Sequence, residues 1–242
     1  MGEIVYVPVG RLAEGVTAPF ALVRGPVLAA QNRTLTVDLP FGIGAVHIAS
    51  SAVHRDVGVC VIRIGDLETE DTLLNPIAKS VLQYLRLLVP DDQVKYVALR
   101  TTDELYSVYE SVAPSFTHIV LVGHGADGNL LFSCGQREAG SQLGSSLSAL
   151  HDQPRMFMSL CCNTGRADFA KVFSQSPCCG ALVAPFGALH GAVASQFLQT
   201  FFGYHFLEGR TFRVAFKNAR RNVPGGATFR IWQNGDFEGR PA

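Results

Sequence analysis

Two short apolar runs between Thr117 and Gly165 each end in a reactive side chain set among small residues. Ile119-Val120-Leu121-Val122 runs into Gly123-His124-Gly125, and Met156-Phe157-Met158-Ser159-Leu160 runs into Cys161-Cys162-Asn163-Thr164-Gly165. A thiol becomes a nucleophile when a neighbouring base takes its proton or stabilises its thiolate, and histidine is suited to that task near neutral pH. His124 and Cys162 brought to one carbonyl carbon are the equipment for acyl transfer. A glycine after His124 allows the backbone to approach a ligand closely, so the N–H groups of Gly125 and Cys162 are the candidate oxyanion donors. A helix starting near Arg166 turns its positive end toward Cys162, which favours a thiolate.

Positioning these residues requires strands that stop together. From residue 57 the pattern alternates near-continuous apolar strands with amphipathic helices. The predicted strands are Val57–Ile64, Lys95–Leu99, Ile119–Val122, Met156–Leu160, Ala181–Ala184 and Thr228–Trp232, with a small β excursion at Asn129–Phe132. The predicted helices are Asn75–Leu88, Thr102–Val112, Leu143–Leu150, Ala167–Phe173, Ala192–Leu207 and Phe212–Arg221. Strands without polar alternation are buried on both faces, as in a mainly parallel sheet flanked by helices. The expected fold is therefore a doubly wound α/β sandwich, whose sites form just past the carboxyl ends of the strands. The strand ends bearing His124 and Cys162 lie about 5 Å apart if the strands are neighbours, or about 10 Å with one strand between.

Residues 1–56 read differently, as a β-rich N-terminal extension preceding an α/β domain over 57–242. Short alternating runs such as Thr34–Leu39 suggest hairpins, with turns at Gly25-Pro26, Gln31-Asn32 and Pro40-Phe41-Gly42.

Composition narrows the function classes. Lys plus Arg equals Asp plus Glu at 20 each, which leaves no electrostatic footprint for nucleic acid or an anionic membrane. An apolar content of 48% belongs to a folded chain, and no run of apolar residues is long enough to span a bilayer. The start Met-Gly-Glu-Ile-Val-Tyr lacks the basic and apolar regions of a signal peptide, so a cytoplasmic protein with six reduced cysteines is expected. Adjacent cysteine pairs lack zinc-knuckle spacing, so no metal is expected. No glycine-rich phosphate loop follows the first strand, where Gly65-Asp66-Leu67 stands, and this weighs against a nucleotide-binding domain.

An apolar strand, His-Gly, a glycine-containing loop, a helix, a second apolar strand and a serine ahead of Cys-x-Thr-Gly together resemble the CHAT branch of the caspase-like (clan CD) cysteine peptidases. In that family the second strand typically ends Leu-Ser-Ala-Cys-Glu-Thr-Gly. Met158-Ser159-Leu160-Cys161-Cys162-Asn163-Thr164-Gly165 is similar when Cys162 takes the nucleophile's place; the register slips by one if Cys161 does. The likeness continues through Val183-Ala184-Pro185, Ala192–Phe202, Ala219-Arg220 and Ala227–Trp232 to Gly235-Asp236.

The resemblance implies a cysteine endopeptidase with a Cys162 nucleophile, His124 as proton carrier, a protein substrate and no cofactor. It implies only two catalytic residues, leaving His118, His151, His190 and His205 as surface or helix-face residues. Substrate choice is expected from Asp66 at the end of the first strand and from Leu160, two before the nucleophile. Small free-standing relatives imply a regulated effector of a bacterial defence or cell-death system, whose activating partner or ligand would dock near residues 3–56. The alternative is a catalytically silent caspase-like module that binds a peptide or small signalling ligand.

Overall fold

The computed structural model describes residues 2–238; the outermost positions of the two expected domains, Met1 and 239–242, lie outside them. The chain opens with a four-stranded antiparallel sheet in the order β1 (Ile4–Pro8), β2 (Leu22–Gln31), β3 (Thr34–Leu39) and β4 (Gly44–Ala49). The turns after Gln31 and Pro40 form, with positive φ at Asn32, Arg33, Phe41 and Gly42. Gly25-Pro26 is not a turn. Both residues sit inside β2, where Gly25 faces Val5 and Pro26 faces Ile4. Here β2 changes partner from β1 to β3, so a proline without an N–H costs no ladder bond in mid-sheet.

The second body is a seven-stranded sheet. It comprises β5 (Val59–Ile64), β6 (Val94–Leu99), β7 (His118–Val122), β11 (Arg155–Ser159), β12 (Cys179–Pro185), β13 (Phe229–Gln233) and β14 (Asp236–Glu238). The spatial order is β14-β13-β12-β11-β7-β5-β6. The pairs from β12 to β6 are parallel and the two C-terminal strands are antiparallel. The doubly wound, mainly parallel fold expected from the sequence is the one observed. Between β7 and β11, β8 (His124–Ala126), β9 (Asn129–Leu131) and β10 (Arg137–Ala139) make a small antiparallel sheet.

Six helices cover the large sheet. α1 (Asn75–Leu88), α5 (Gly191–Phe202) and α6 (Phe212–Asn222) pack on one face. α2 (Thr102–Val112), α3 (Gly140–Leu150) and α4 (Ala167–Phe173) pack on the other. Local sequence sets several of these ends. Pro76 sits in the first turn of α1, and Thr101 and Glu104 form a reciprocal capping box on α2. The expected long helix over 192–207 is α5 followed by a π turn, Gly203–Leu207. Gly203 faces the Tyr84 hydroxyl closely enough that a Cβ there would crowd it.

The N-terminal sheet is more than an appendage. Val5 and Val7 face its own small core, while Tyr6 and Leu22 join the core beneath α1, α5 and α6. Its linker also pairs back, with Tyr6 and His54 exchanging backbone hydrogen bonds at 2.8 and 2.9 Å.

Three histidines meet at this junction. The His54 and His205 rings lie 4.9 Å apart, and those of His118 and His205 5.4 Å apart. His118 and His205, expected from the sequence as surface or helix-face residues, are both buried, because Phe202, Phe206 and Phe212 surround them. Among the described residues no group of three such side chains is placed to hold a metal ion.

Burial lowers all three imidazoles, His205 to about 4. The unfolded chain therefore binds these protons first as pH falls. Stability from the neutral imidazoles is complete above pH 6.5 and declines toward pH 4. From His205 alone the loss at pH 5 is about 2 kcal/mol. Thermal unfolding should give a Tm about 4–8 °C lower at pH 5 than at pH 8, and His205→Gln should narrow the gap. An unchanged Tm would mean that these rings are not buried neutral in solution.

Candidate active site

Strand alternation decides which of the paired cysteines reaches the surface. Beyond β11 the chain places Leu160 in the core under α1 and α5, and Cys161 in the core under α2, α3 and α4. Cys162 is the first residue past the sheet with neither core layer available to it. Cys161 has no exposed surface, and burial pushes its thiol up to about 12. Cys162 is partly exposed.

The Ser-x-x-Cys-x-Thr-Gly run then folds on itself. The Thr164 hydroxyl lies 2.7 Å from the Ser159 hydroxyl and 2.8 Å from the Cys161 carbonyl. The Cys161 N–H donates to Ser159 Oγ at 3.2 Å. Asn163 takes a left-handed φ of 65°, which turns the chain back toward the sheet. Gly165 bonds the Pro185 carbonyl at 2.8 Å, and its own carbonyl accepts from Trp232 Nε1 at 2.9 Å. A Cβ at Gly165 would strike the backbone of Ala184 and Pro185. The turn carrying Cys162 is thus fastened to β11, β12 and β13.

His124 stands two residues beyond the end of β7, the immediate neighbour of β11, with Met156 opposite His118 and Ser159 opposite Leu121. A Cβ on Gly125 would run into the carbonyl oxygen of Cys162. The two strand ends are therefore in backbone contact, and the short sequence loop Gly123–Gly125 is glycine-rich because of it. The Cys162 N–H has no hydrogen-bond partner among the described residues, as an oxyanion donor requires. The Gly125 N–H lies in β8, opposite Leu130.

His124 and Cys162 are not hydrogen-bonded to each other. The Cys162 sulfur instead accepts the Leu189 N–H at 3.3 Å, from the loop between β12 and α5. His124 Nε2 is 2.9 Å from Asp66 Oδ2 and 2.6 Å from Thr69 Oγ1. The site is then a thiol and an imidazole on adjacent strand ends, each held by its own flank.

Of the two residues expected to choose the substrate, Asp66 touches His124, and Leu160 is 6% exposed within the core. Thr69 and Leu189 escaped sequence reading. Both act through contacts made between distant segments, and neither stands in a motif. The helix α4 begins at Ala167, so the turn over 162–166 separates Cys162 from its first residues.

No protein-family model matches the sequence, and no curated protein matches it. Among solved structures, the chain is similar to a secreted C11 cysteine protease from Bacteroides thetaiotaomicron called iotapain, with a TM-score of 0.52 and 6% identity over 74% of this chain and 67% of that one. It is similar to a secreted C11 cysteine protease from the same organism in complex with an irreversible peptide inhibitor, with a TM-score of 0.51 and 6% identity over 74% and 66%. The chain thus spans about two-thirds of the length of these proteases. At this identity the likeness is one of fold: a central, mostly parallel sheet flanked by helices, as in the caspase-like C11 proteases.

Proposed function

We propose that this protein is a cysteine endopeptidase that hydrolyses peptide bonds in a protein substrate with Cys162 as nucleophile and His124 as proton carrier. One observation carries the reading. Of the five cysteines whose surroundings are described, Cys162 alone is partly exposed, and it sits in backbone contact with the strand end that bears His124. The thiol proton passes to the imidazole as sulfur bonds the carbonyl carbon. The oxyanion is held by the N–H groups of Cys162 and Gly125, and His124 returns the proton to the leaving amine. Water then hydrolyses the acyl-enzyme by the same route.

The sequence likeness to CHAT peptidases supports a cytoplasmic bacterial defence effector under control. The Leu189 N–H on the Cys162 sulfur supports such control, because a loop distant in sequence contacts the thiol directly. A partner or ligand acting near residues 3–56 would work through Tyr6 and Leu22, which join the main core.

The missing bond between His124 and Cys162 is the observation that favours the silent-module alternative. Iodoacetamide labelling separates the two. An enzyme should lose Cys162 to the reagent faster than a free cysteine does, and His124→Ala should slow that reaction on the order of tenfold. Equal rates for wild type, variant and free cysteine would sink the enzyme reading. New protein termini, mapped by mass spectrometry after incubation with a proteome, would identify the substrate.

A further inference from the structure

The geometry points to Asp66 as the positioning residue of this site, fixing His124 in the tautomer whose Nδ1 is the base, with Thr69 completing the lock; the inference rests on the peptidase reading above. The hydrogen count leaves one solution. Asp66 Oδ1 accepts the N–H groups of Glu68 at 2.8 Å and Thr69 at 2.7 Å. Asp66 Oδ2 accepts the Thr69 hydroxyl at 2.8 Å. Having given its proton to Asp66, the Thr69 oxygen can only accept from His124 Nε2, and the carboxylate can only accept as well. Both partners of Nε2 are acceptors, so Nε2 carries the hydrogen and Nδ1 keeps its lone pair.

The same contacts turn Asp66 away from substrate recognition. Its two oxygens accept the Glu68 N–H, the Thr69 N–H and the Thr69 hydroxyl, and His124 Nε2 lies 2.9 Å from Oδ2. Partial burial raises the Asp66 pKa, but the donors on Thr69 and Glu68 outweigh it and hold the group below its ordinary value, so it is a carboxylate at neutral pH. The loop is anchored on both sides. Gly65 bonds Leu99 at 2.9 Å, and Glu70 binds Arg63 at 2.8 Å and Arg100 at 2.9 Å. When Nδ1 takes the thiol proton during attack, the imidazolium formed keeps its Nε2 hydrogen on Thr69 beside Asp66, its counter-ion, and later releases the Nδ1 proton to the leaving amine.

Asp66→Asn is the decisive variant because it preserves shape. Its amide oxygen can keep the Glu68 and Thr69 N–H groups at the Oδ1 position only by turning the NH2 toward His124, which makes Nε2 an acceptor and moves the ring proton to Nδ1. Nitrogen-15 NMR of histidine-labelled full-length protein at pH 8 reads this directly. Wild type should show His124 protonated at Nε2, and Asp66→Asn should show it protonated at Nδ1. With peptidyl-methylcoumarin substrates varied at the residue before the scissile bond, Asp66→Asn should lower kcat by roughly 10²–10⁴-fold with KM within about twofold. Thr69→Val should lower kcat on the order of tenfold.

An unchanged tautomer in Asp66→Asn would overturn the inference. So would a rise in KM confined to basic substrates, which would make Asp66 a pocket residue. If wild type cleaves no peptide, the peptidase reading fails, and the NMR comparison still decides whether Asp66 sets the tautomer.

Discussion

Cys162→Ala is expected to abolish peptide cleavage, by at least about 10⁴-fold in kcat/KM, while Cys161→Ala keeps it within about threefold. The two residues are chemically identical and adjacent, so only their environments separate them. Cys161 lies fully inside the core with Phe157 and Phe169, its sulfur 3.9 Å from the Leu121 carbonyl, and burial pushes its thiol up to about 12. Such a thiol carries almost no thiolate at neutral pH and has no path to a substrate. Replacing it by alanine removes one buried sulfur, at a cost of about 1 kcal/mol, and leaves the turn's hydrogen bonds through Ser159 and Thr164 intact. Cys162 stands beyond the sheet on the same turn. Cleavage that survives in Cys162→Ala and disappears in Cys161→Ala would place the nucleophile one residue earlier than proposed.

Gly125→Ala should be nearly as damaging although it removes no reactive group. The added methyl would overlap the carbonyl oxygen of Cys162 and press on Thr164 Cγ2 at 3.2 Å and Cys161 Cβ at 3.3 Å. Neither side can retreat cheaply. His124, Gly125 and Ala126 pair with Leu131, Leu130 and Asn129, and the Cys162 turn is fastened through Gly165 to Pro185 and Trp232. Relief therefore means parting the two strand ends by a sizeable fraction of an ångström, which moves the imidazole away from the thiol's side of the substrate. Displacements near 1 Å at a reacting centre cost about 10²-fold, and the variant should lose at least that in kcat/KM. Far-UV circular dichroism would show whether the fold persists, and an active Gly125→Ala would mean that the ends do not touch in solution.

Much of this was legible in the linear chain. Apolar runs without polar alternation marked β5, β7, β11 and β12 as buried on both faces, and α1 and α2 span the residues their periodicity and caps predict. Gly25-Pro26 shows the limit of local signals: the pair has turn chemistry, yet the handover from β1 to β3 lets β2 run through it.

Sequence alone determined that a histidine and a cysteine end two buried strands, because hydrophobic periodicity and its abrupt stop are local properties of the chain. Tertiary structure decided that the strands are neighbours, that Cys161 is sealed while Cys162 is not, and that Asp66 meets His124 rather than open solvent. It also decided that His118 and His205 lie among phenylalanines where the N-terminal sheet meets the α/β body. The physical reason is the same in each case. Burial and hydrogen-bond partnership are set by segments tens of residues apart, and the spacing along one strand carries no record of which distant loop will supply the acceptor.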